Sequence, residues 1–351
     1  MTYPTPPAES PVCQLLERQP ADYRGWWWVA PPHDAWLASG QGVAVSADLS
    51  VRQAWQAAGR PALSPLAAGL PAGEASPPGA VLFWPKSHAL GEWWLLWLCA
   101  TLPEGSPLQL VGENQGGIKR VLKVLAALGL GCRKLDSARR CSLFETRLGR
   151  VGIDPEAAWT SFEVELDGER LALASHPGVF GHGKLDDGTR LLIETLAGEG
   201  RSFGDVLGDV LDMGCGDGIL AAWLARRGAR VTAVDVNAFA VAATRRSLAA
   251  NGLAGEVLPG ETLESDVFSA LGERTFEAIV SNPPFHQERA IDYGPAARLI
   301  EEAPAHLKPG GRLIIVANAF LPYPDRLERA FGGFEVLADD RRFRVYRAVR
   351  R

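Results

Sequence analysis

Two short stretches of this 351-residue chain carry residue types at spacings that chemistry can use. The first is Ser281-Asn282-Pro283-Pro284-Phe285-His286. Consecutive prolines hold the backbone in an extended bend, and the residue before them is steered away from helix, so Asn282 is presented on a stiff wall. Its side-chain oxygen and the Pro283 carbonyl are two acceptors able to hold the N–H bonds of an exocyclic amine and aim its lone pair. An amine on a base is a weak nucleophile because that lone pair is delocalised into the ring. Orientation, rather than a strong base, is what it lacks, and its proton can leave after transfer, when the nitrogen is positively charged. Pro284 completes the bend. Phe285 offers a flat face for a base turned out of its stack, although it could equally be a core aromatic. His286 could touch a base or phosphate, or sit in a surface turn.

The second stretch is Asp212-Met213-Gly214-Cys215-Gly216-Asp217-Gly218, an apolar strand running into a glycine-rich turn and then a helix. Positions without side chains let a ligand approach the backbone at a helix N-terminus. The dinucleotide fingerprint is G-x-G-x-x-G. This loop is D-x-G-x-G-x-G, with an acid two residues before its first glycine, a spacing that favours S-adenosylmethionine over NAD. Asp212, Gly214, Cys215, Gly216 and Gly218 are therefore expected to line a cofactor cleft. Asp235, followed by Val236, ends the next apolar strand, where it could accept from both hydroxyls of a ribose or cap a helix, a role also open to Asn237. Asp266 could accept from an adenine amino group with Val267 against the ring, or could merely form a turn.

Such residues converge only if several strands end on one edge. Strands are expected at 206–213, 230–235, 278–281 and 312–317, alternating with helices at 219–227, 238–251 and 296–307. A hairpin over 162–174, turning at Asp167-Gly168, and a helix over 189–196 precede them. This order implies an α/β fold with a mostly parallel sheet covered on both faces and ligands at the carboxyl ends of its strands. In the first half, strands are expected at 80–84, 108–111 and 141–147, with helices at 88–102 and 117–128. The first 80 residues, with Trp26-Trp27-Trp28 and turn formers over 61–79, show poor periodicity. The domains are expected to divide near residue 155, into 1–155 and 156–351.

A net charge of −5 argues against nonspecific coating of nucleic acid, which draws on neutralised phosphates. An RNA substrate would need a local basic patch. The five cysteines contain no C-x-x-C pair, so neither a disulfide framework nor a metal site is expected. The longest apolar run, 93–100, is far short of the roughly 20 residues a spanning helix needs. The N-terminus has no signal-like basic and apolar start, so a cytoplasmic protein is expected.

The chain also contains Phe83-Trp84-Pro85-Lys86, Val111-Gly112-Glu113-Asn114, Leu135-Asp136-Ser137-Ala138-Arg139-Arg140-Cys141, Pro177-Gly178-Val179-Phe180 and Val316-Ala317-Asn318-Ala319-Phe320-Leu321-Pro322-Tyr323-Pro324. Together with the two stretches above, these resemble the ribosomal RNA small-subunit methyltransferase C family of bacterial guanine-N2 methyltransferases, from about Leu82 onward. The resemblance implies two tandem class I, Rossmann-like methyltransferase domains. The N-terminal copy would be degenerate, supporting the fold and gripping RNA, and the C-terminal copy would bind S-adenosylmethionine and catalyse. On this view Gly112-Glu113-Asn114-Gln115-Gly116-Gly117 stands where a donor loop would be, without its spacing. The segment from Val179 to Thr189 is implied to be a flap over the cofactor. Phe180 and Asp186 match the family there, whereas His182 and Lys184 depart from its usual Arg or Asp.

The implied reaction is methylation of the exocyclic N2 of a guanine in 16S rRNA, guanine 1207 in the family, within the assembled 30S subunit, by a protein expected to be monomeric. Lys86, Arg139, Arg140 and His286 are candidates for holding RNA, or form a solvated face. The alternatives are a guanine-N2 of 23S rRNA and the side-chain amide nitrogen of a protein glutamine. Arg341, Arg342, Arg344, Arg347, Arg350 and Arg351 could form an RNA-facing patch, or the outer side of a last strand with Phe343 and Val345 turned inward.

Overall fold

The computed structural model describes residues 6–40, 42–67, 76–199, 208–253, 261–283 and 294–351. The chain divides into two compact units, Met1–Ala158 and Trp159–Arg351.

In the first unit the elements run α1 (Pro11–Glu17), β1 (Trp26–Val29), α2 (Ala35–Ser39), β2 (Gly42–Val45), α3 (Leu49–Ala57), β3 (Ala62–Leu63), β4 (Ala80–Phe83), α4 (His88–Thr101), β5 (Pro107–Glu113), α5 (Val121–Ala127), β6 (Arg133–Ala138) and β7 (Cys141–Arg147). The strands form one sheet in the order β3-β2-β1-β4-β5-β7-β6. Its centre is the tryptophan triplet: Trp27 and Trp28 are buried in β1, which pairs in parallel with β2 and β4. The first 80 residues thus supply three strands that their periodicity does not reveal. A short strand buried on both faces has no alternation to read.

The order also corrects the expected place of the degenerate donor loop. The strand after which a donor loop would stand is the central β1, and it is followed by Ala30-Pro31-Pro32-His33-Asp34. Prolines there remove two N–H donors and fill the approach that glycines would leave open. Gly112–Gly117 instead spans the end of β5 and the turn after it, two places further along the sheet order.

The second unit opens with the hairpin β8 (Thr160–Leu166) and β9 (Glu169–Ser175), whose turn residues Asp167 and Gly168 both have positive φ, as a two-residue hairpin requires. Then follow α6 (Asp187–Gly198), β10 (Asp209–Met213), α7 (Ile219–Arg226), β11 (Arg230–Asp235), α8 (Ala238–Ala250), β12 (Glu261–Glu264), β13 (Phe276–Ser281), α9 (Gly294–Glu302), β14 (Leu307–Asn318), α10 (Tyr323–Phe331), β15 (Glu335–Asp339) and β16 (Phe343–Val349). The sheet order is β12-β11-β10-β13-β14-β16-β15, the first unit's order repeated. Alternate residues enter two cores. Val210, Ala278, Val280, Ile314 and Val316 pack with Trp223 and Leu192 on one face, while Leu211, Ile279, Leu313 and Ile315 pack with Leu299, Ile300 and Leu327 on the other. Burial on both faces fixes the register, since a one-residue slip would exchange the two cores. Among the described residues no helix is long and apolar enough to cross a membrane.

Candidate active site

β10 lies between β11 and β13, with Met213 opposite both Val234 and Ser281. The turn after it, residues 214–218, therefore emerges beside the ends of both neighbours. Gly214, Gly216 and Gly218 all have positive φ, at 80°, 54° and 79°. A Cβ on Gly214 or Gly216 would meet no heavy atom within 4 Å, so these two border open space. On Gly218 it would lie 2.8 Å from the Thr244 Cα, because that glycine is where the start of α7 packs on α8. The Gly214 and Cys215 N–H groups donate to the Val234 carbonyl at 2.8 and 3.0 Å. From α8, the Thr244 hydroxyl donates to the Gly216 carbonyl at 3.1 Å and the Ser247 hydroxyl to that of Asp217 at 2.7 Å. Cys215 is buried, and that burial, with Asp235 and Asp212 nearby, pushes its thiol well above the usual range, so it stays protonated.

Three carboxylates surround this turn. Asp212 is only 1% exposed, and its Oδ2 has no hydrogen-bond partner. Burial, and then the neighbouring Asp235 charge, raise its pKa to about 7 against the pull of the Ala221 N–H. Asp217 is also buried and rises to about 6, opposed by the Ser175 hydroxyl and the Gly183 N–H. Asp235, half-buried, accepts from the Gly216 N–H at 3.2 Å and the Asn237 N–H at 2.9 Å. The helix cap falls to Asn237, whose Oδ1 accepts from the Phe239 N–H at 2.9 Å while its Nδ2 donates to the Gly178 carbonyl at 2.7 Å. Val236, beside Asp235, is half-buried.

Asn282 follows β13 on the other side of the glycine turn. Its Nδ2 donates to Asp186 Oδ2 at 2.7 Å and to Thr189 Oγ1 at 2.9 Å. The same Asp186 oxygen caps α6, accepting from the Thr189 N–H at 3.0 Å. Both amide hydrogens are thereby committed, and what Asn282 has to offer a ligand is its acceptor oxygen. Pro283 is buried. Pro284, Phe285 and His286 lie outside the described residues.

The segment between β9 and α6 is fastened at its base. His176 is buried and stacked on Phe239, with centroids 4.1 Å apart, and burial lowers its pKa to about 3, so it stays neutral. The Ser175 hydroxyl pairs with His182 Nδ1 at 2.9 Å and accepts from the Gly183 N–H at 3.1 Å. Phe180 is 70% exposed. Sequence reasoning did not find Ser175, Thr189, Asp217 or Thr244, and only Asp217, a third acid inside the glycine turn, left a local signal.

Asp266 has a protein partner here, and Val267 is held through its backbone. The Asp266 carboxylate is gripped by Arg298 through two hydrogen bonds of 3.1 and 2.5 Å. Val267 is buried with a φ of 51°, rare for a β-branched residue and held by the Ser265 hydroxyl, which donates to its carbonyl at 2.6 Å. Of the basic candidates, Lys86 is exposed just past β4, and Arg139 and Arg140 form the exposed tip of the β6–β7 hairpin. The C-terminal arginines are largely held within the unit. Arg342 pairs with Asp187, Arg344 with Asp339, and Arg347 with Glu199 and Glu335, while Phe343 and Val345 point into the core.

Residues 170–347 match the methyltransferase small domain family, and residues 38–161 match the methyltransferase small domain N-terminal family. A ribosomal RNA small subunit methyltransferase C of Chromohalobacter salexigens is 66% identical over 344 residues, 98% of each chain. One from Pseudomonas aeruginosa is 45% identical over 278 residues, 77% of this chain and 79% of its own. Among solved structures, a T. thermophilus 16S rRNA N2 G1207 methyltransferase in complex with AdoMet and guanosine superposes with a TM-score of 0.84 at 27% identity, over 99% of this chain and 94% of that one. The similarity to the first of these relatives extends through the first 80 residues, ahead of Leu82, where the resemblance by motif begins.

Proposed function

Because the chain belongs to the ribosomal RNA small subunit methyltransferase C family, we propose that it transfers the methyl group of S-adenosylmethionine to the exocyclic N2 of a guanine in 16S rRNA, at the position equivalent to G1207. The substrate is the assembled 30S subunit, and the enzyme works as a cytoplasmic monomer. The observation that carries this reading is the commitment of both Asn282 amide hydrogens to Asp186 and Thr189, one strand away from a glycine turn open to a ligand.

The residues present fit the cofactor. Gly214 and Gly216 leave room against the backbone, and Asp212 holds a buried oxygen without a partner. Asp235, half-buried at the end of β11, presents a carboxylate of the kind that accepts from ribose hydroxyls. Cys215, Gly218 and Val236 shape the turn around them, and Phe180 lies in the segment that would close over the site. Asp186 is better read as a positioning residue, because it sets the orientation of the Asn282 amide and caps α6. Val267 packs beside the adenine ring, and Asp266, held by Arg298, bounds that pocket and can still accept from its amino group.

S-adenosylmethionine supplies an electrophilic methyl group on a sulfonium. The protein's part is to orient the acceptor. Asn282 Oδ1 and the Pro283 carbonyl each take one N–H of the guanine amine, which turns the lone pair toward the donor and stabilises positive charge as it develops on nitrogen. That Pro284 and Phe285, outside the described residues, wall the base is an expectation from the sequence alone. No strong base is required before transfer, because the proton can leave once the methylated nitrogen is positively charged. Lys86, Arg139, Arg140 and His286 would contact the surrounding RNA.

The direct test is incubation with isotope-labelled S-adenosylmethionine and, separately, undermethylated small subunits, large subunits, free rRNA and a release factor, followed by identification of the labelled product. N2-methylguanine in the small subunit supports the reading. Label in large subunits or in a protein glutamine would leave the donor site and overturn the substrate.

A further inference from the structure

Two tight turns meet at the carboxyl edge of the second unit's sheet. One is residues 319–322, after β14, and the other is residues 340–342, between β15 and β16. The Ala319 N–H donates to the Arg342 carbonyl at 2.9 Å, Leu321 N–H to Asn318 at 3.0 Å and Tyr323 N–H to Leu321 at 2.9 Å. Leu321 and Tyr323 are buried. Between these anchors, Phe320 is 66% exposed, so its ring contributes little to the core while the backbone under it is fixed. Arg341 has a φ of 75°, a conformation that Gly or Asn adopts at lower cost.

The first unit contains the same junction. Glu113 pairs with Cys141 as Asn318 pairs with Phe343, and the Asn114 N–H donates to the Arg140 carbonyl at 2.8 Å. Arg139 and Arg140 again occupy the hairpin tip, here both with positive φ, whereas at the second unit's tip only Arg341 has it. Where the second unit has Phe320, the first has Gln115, so of the two copies only the one with the glycine turn carries the exposed aromatic. The junction is also tied to the acceptor side. Arg342 pairs with Asp187 at 2.9 Å, next to the Asp186 that holds Asn282.

We propose that Phe320, Arg341 and Arg342 form a ledge for a nucleotide flanking the methylated guanine, with its base on the Phe320 ring and its phosphate on the two guanidiniums. The proposal rests on the RNA reading above. An exposed aromatic beside arginines is the combination that holds unpaired nucleotides, because every base has a face to stack and every linkage a charge. The Arg342–Asp187 pair is open to water on both sides, 71% and 61% exposed, so Arg342 can turn toward a phosphate with little loss.

The test compares wild type, F320A, F320W and R341A in methylation of undermethylated small subunits, with S-adenosylmethionine binding measured by calorimetry. F320A is expected to raise KM for the subunit about tenfold while kcat and donor Kd stay near wild type, and F320W to restore most of it. R341A should lower the slope of log affinity against log salt by about one. A wild-type KM in F320A would overturn the ledge alone. So would joint loss of kcat and donor binding, or failure of F320W to rescue. A wild type inert toward small subunits would overturn the functional reading, and the ledge with it.

Discussion

The chemistry of the site turns on where single protons and lone pairs lie. Asn282 can accept from an amine because its own hydrogens are taken by Asp186 and Thr189. Asn282→Ala is expected to abolish turnover while leaving donor Kd unchanged, since the acceptor amine loses its guide and the glycine turn does not. Retained turnover would remove Asn282 from the reaction. Asp212 is a second case. Its pKa is about 7 in the folded chain against an ordinary 3.8, so the folded state binds a proton that the unfolded state has released. Stability is therefore lost as pH rises from about 4 to 7, with Asp217 adding to the loss in the same direction up to about 6. Asp212→Asn removes the ionisation but not the shape. It is expected to raise Tm relative to wild type at pH 8, to lose that advantage near pH 4, and to weaken donor binding. An equal Tm difference at both pH values would show that Asp212 does not titrate in this window. Asp212, Asp235 and Asn282 are legible from type and spacing alone, because each ends a strand or precedes a turn. The Asp186–Asn282 bond is not, since it joins residues that only the fold brings together.

At the scale of elements, the three glycines of the donor turn do different work. Gly218→Ala puts a methyl against the Thr244 backbone and forces a positive φ; a loss of about 3 kcal/mol is expected from the packing conflict and the strain together. Gly214→Ala meets only the strain, about 1 kcal/mol, but places its methyl in the open space proposed for the donor. Denaturant melts should show the larger stability loss in the first, and calorimetry the more complete loss of donor binding relative to stability in the second. The reverse ranking would mean that the open space is not the cofactor's. The spacing of the glycines was readable because a turn, a close approach and a helix start are local demands. β1 was not readable. Trp26–Val29 is buried at the middle of a parallel sheet, so it lacks alternation, and the turn formers around it disguise the crossover segments that make it central. For the same reason the glycines of Gly112–Gly117 stand out in the sequence while Ala30–Asp34, which follows the central β1, does not.

The two units repeat one strand order, and the residues proposed for donor and amine lie in the second. Each unit has its own core: Trp28, Val81, Phe83 and Leu143 in the first, the two layers about β10, β13 and β14 in the second. Every residue assigned to the donor and the amine, from Phe180 to Pro283, belongs to the second. Duplication explains how the first could lose its glycines without loss of the fold, because the sheet is held by buried apolar strands and not by the loop at its edge. The net charge of −5, with three of the six C-terminal arginines paired to nearby acids, argues against one broad cationic face. On the proposed reading, RNA affinity would come from small sites such as the exposed Arg139–Arg140 tip. The isolated Trp159–Arg351 unit is accordingly expected to fold, to bind S-adenosylmethionine with the Kd of the full chain, and to methylate small subunits with a KM raised tenfold or more. Calorimetry and subunit kinetics on the two forms separate these effects. If the isolated unit matched the full chain in both, the first unit would serve neither RNA binding nor catalysis. If it lost donor binding, the cofactor cleft would depend on the unit that has no donor loop of its own.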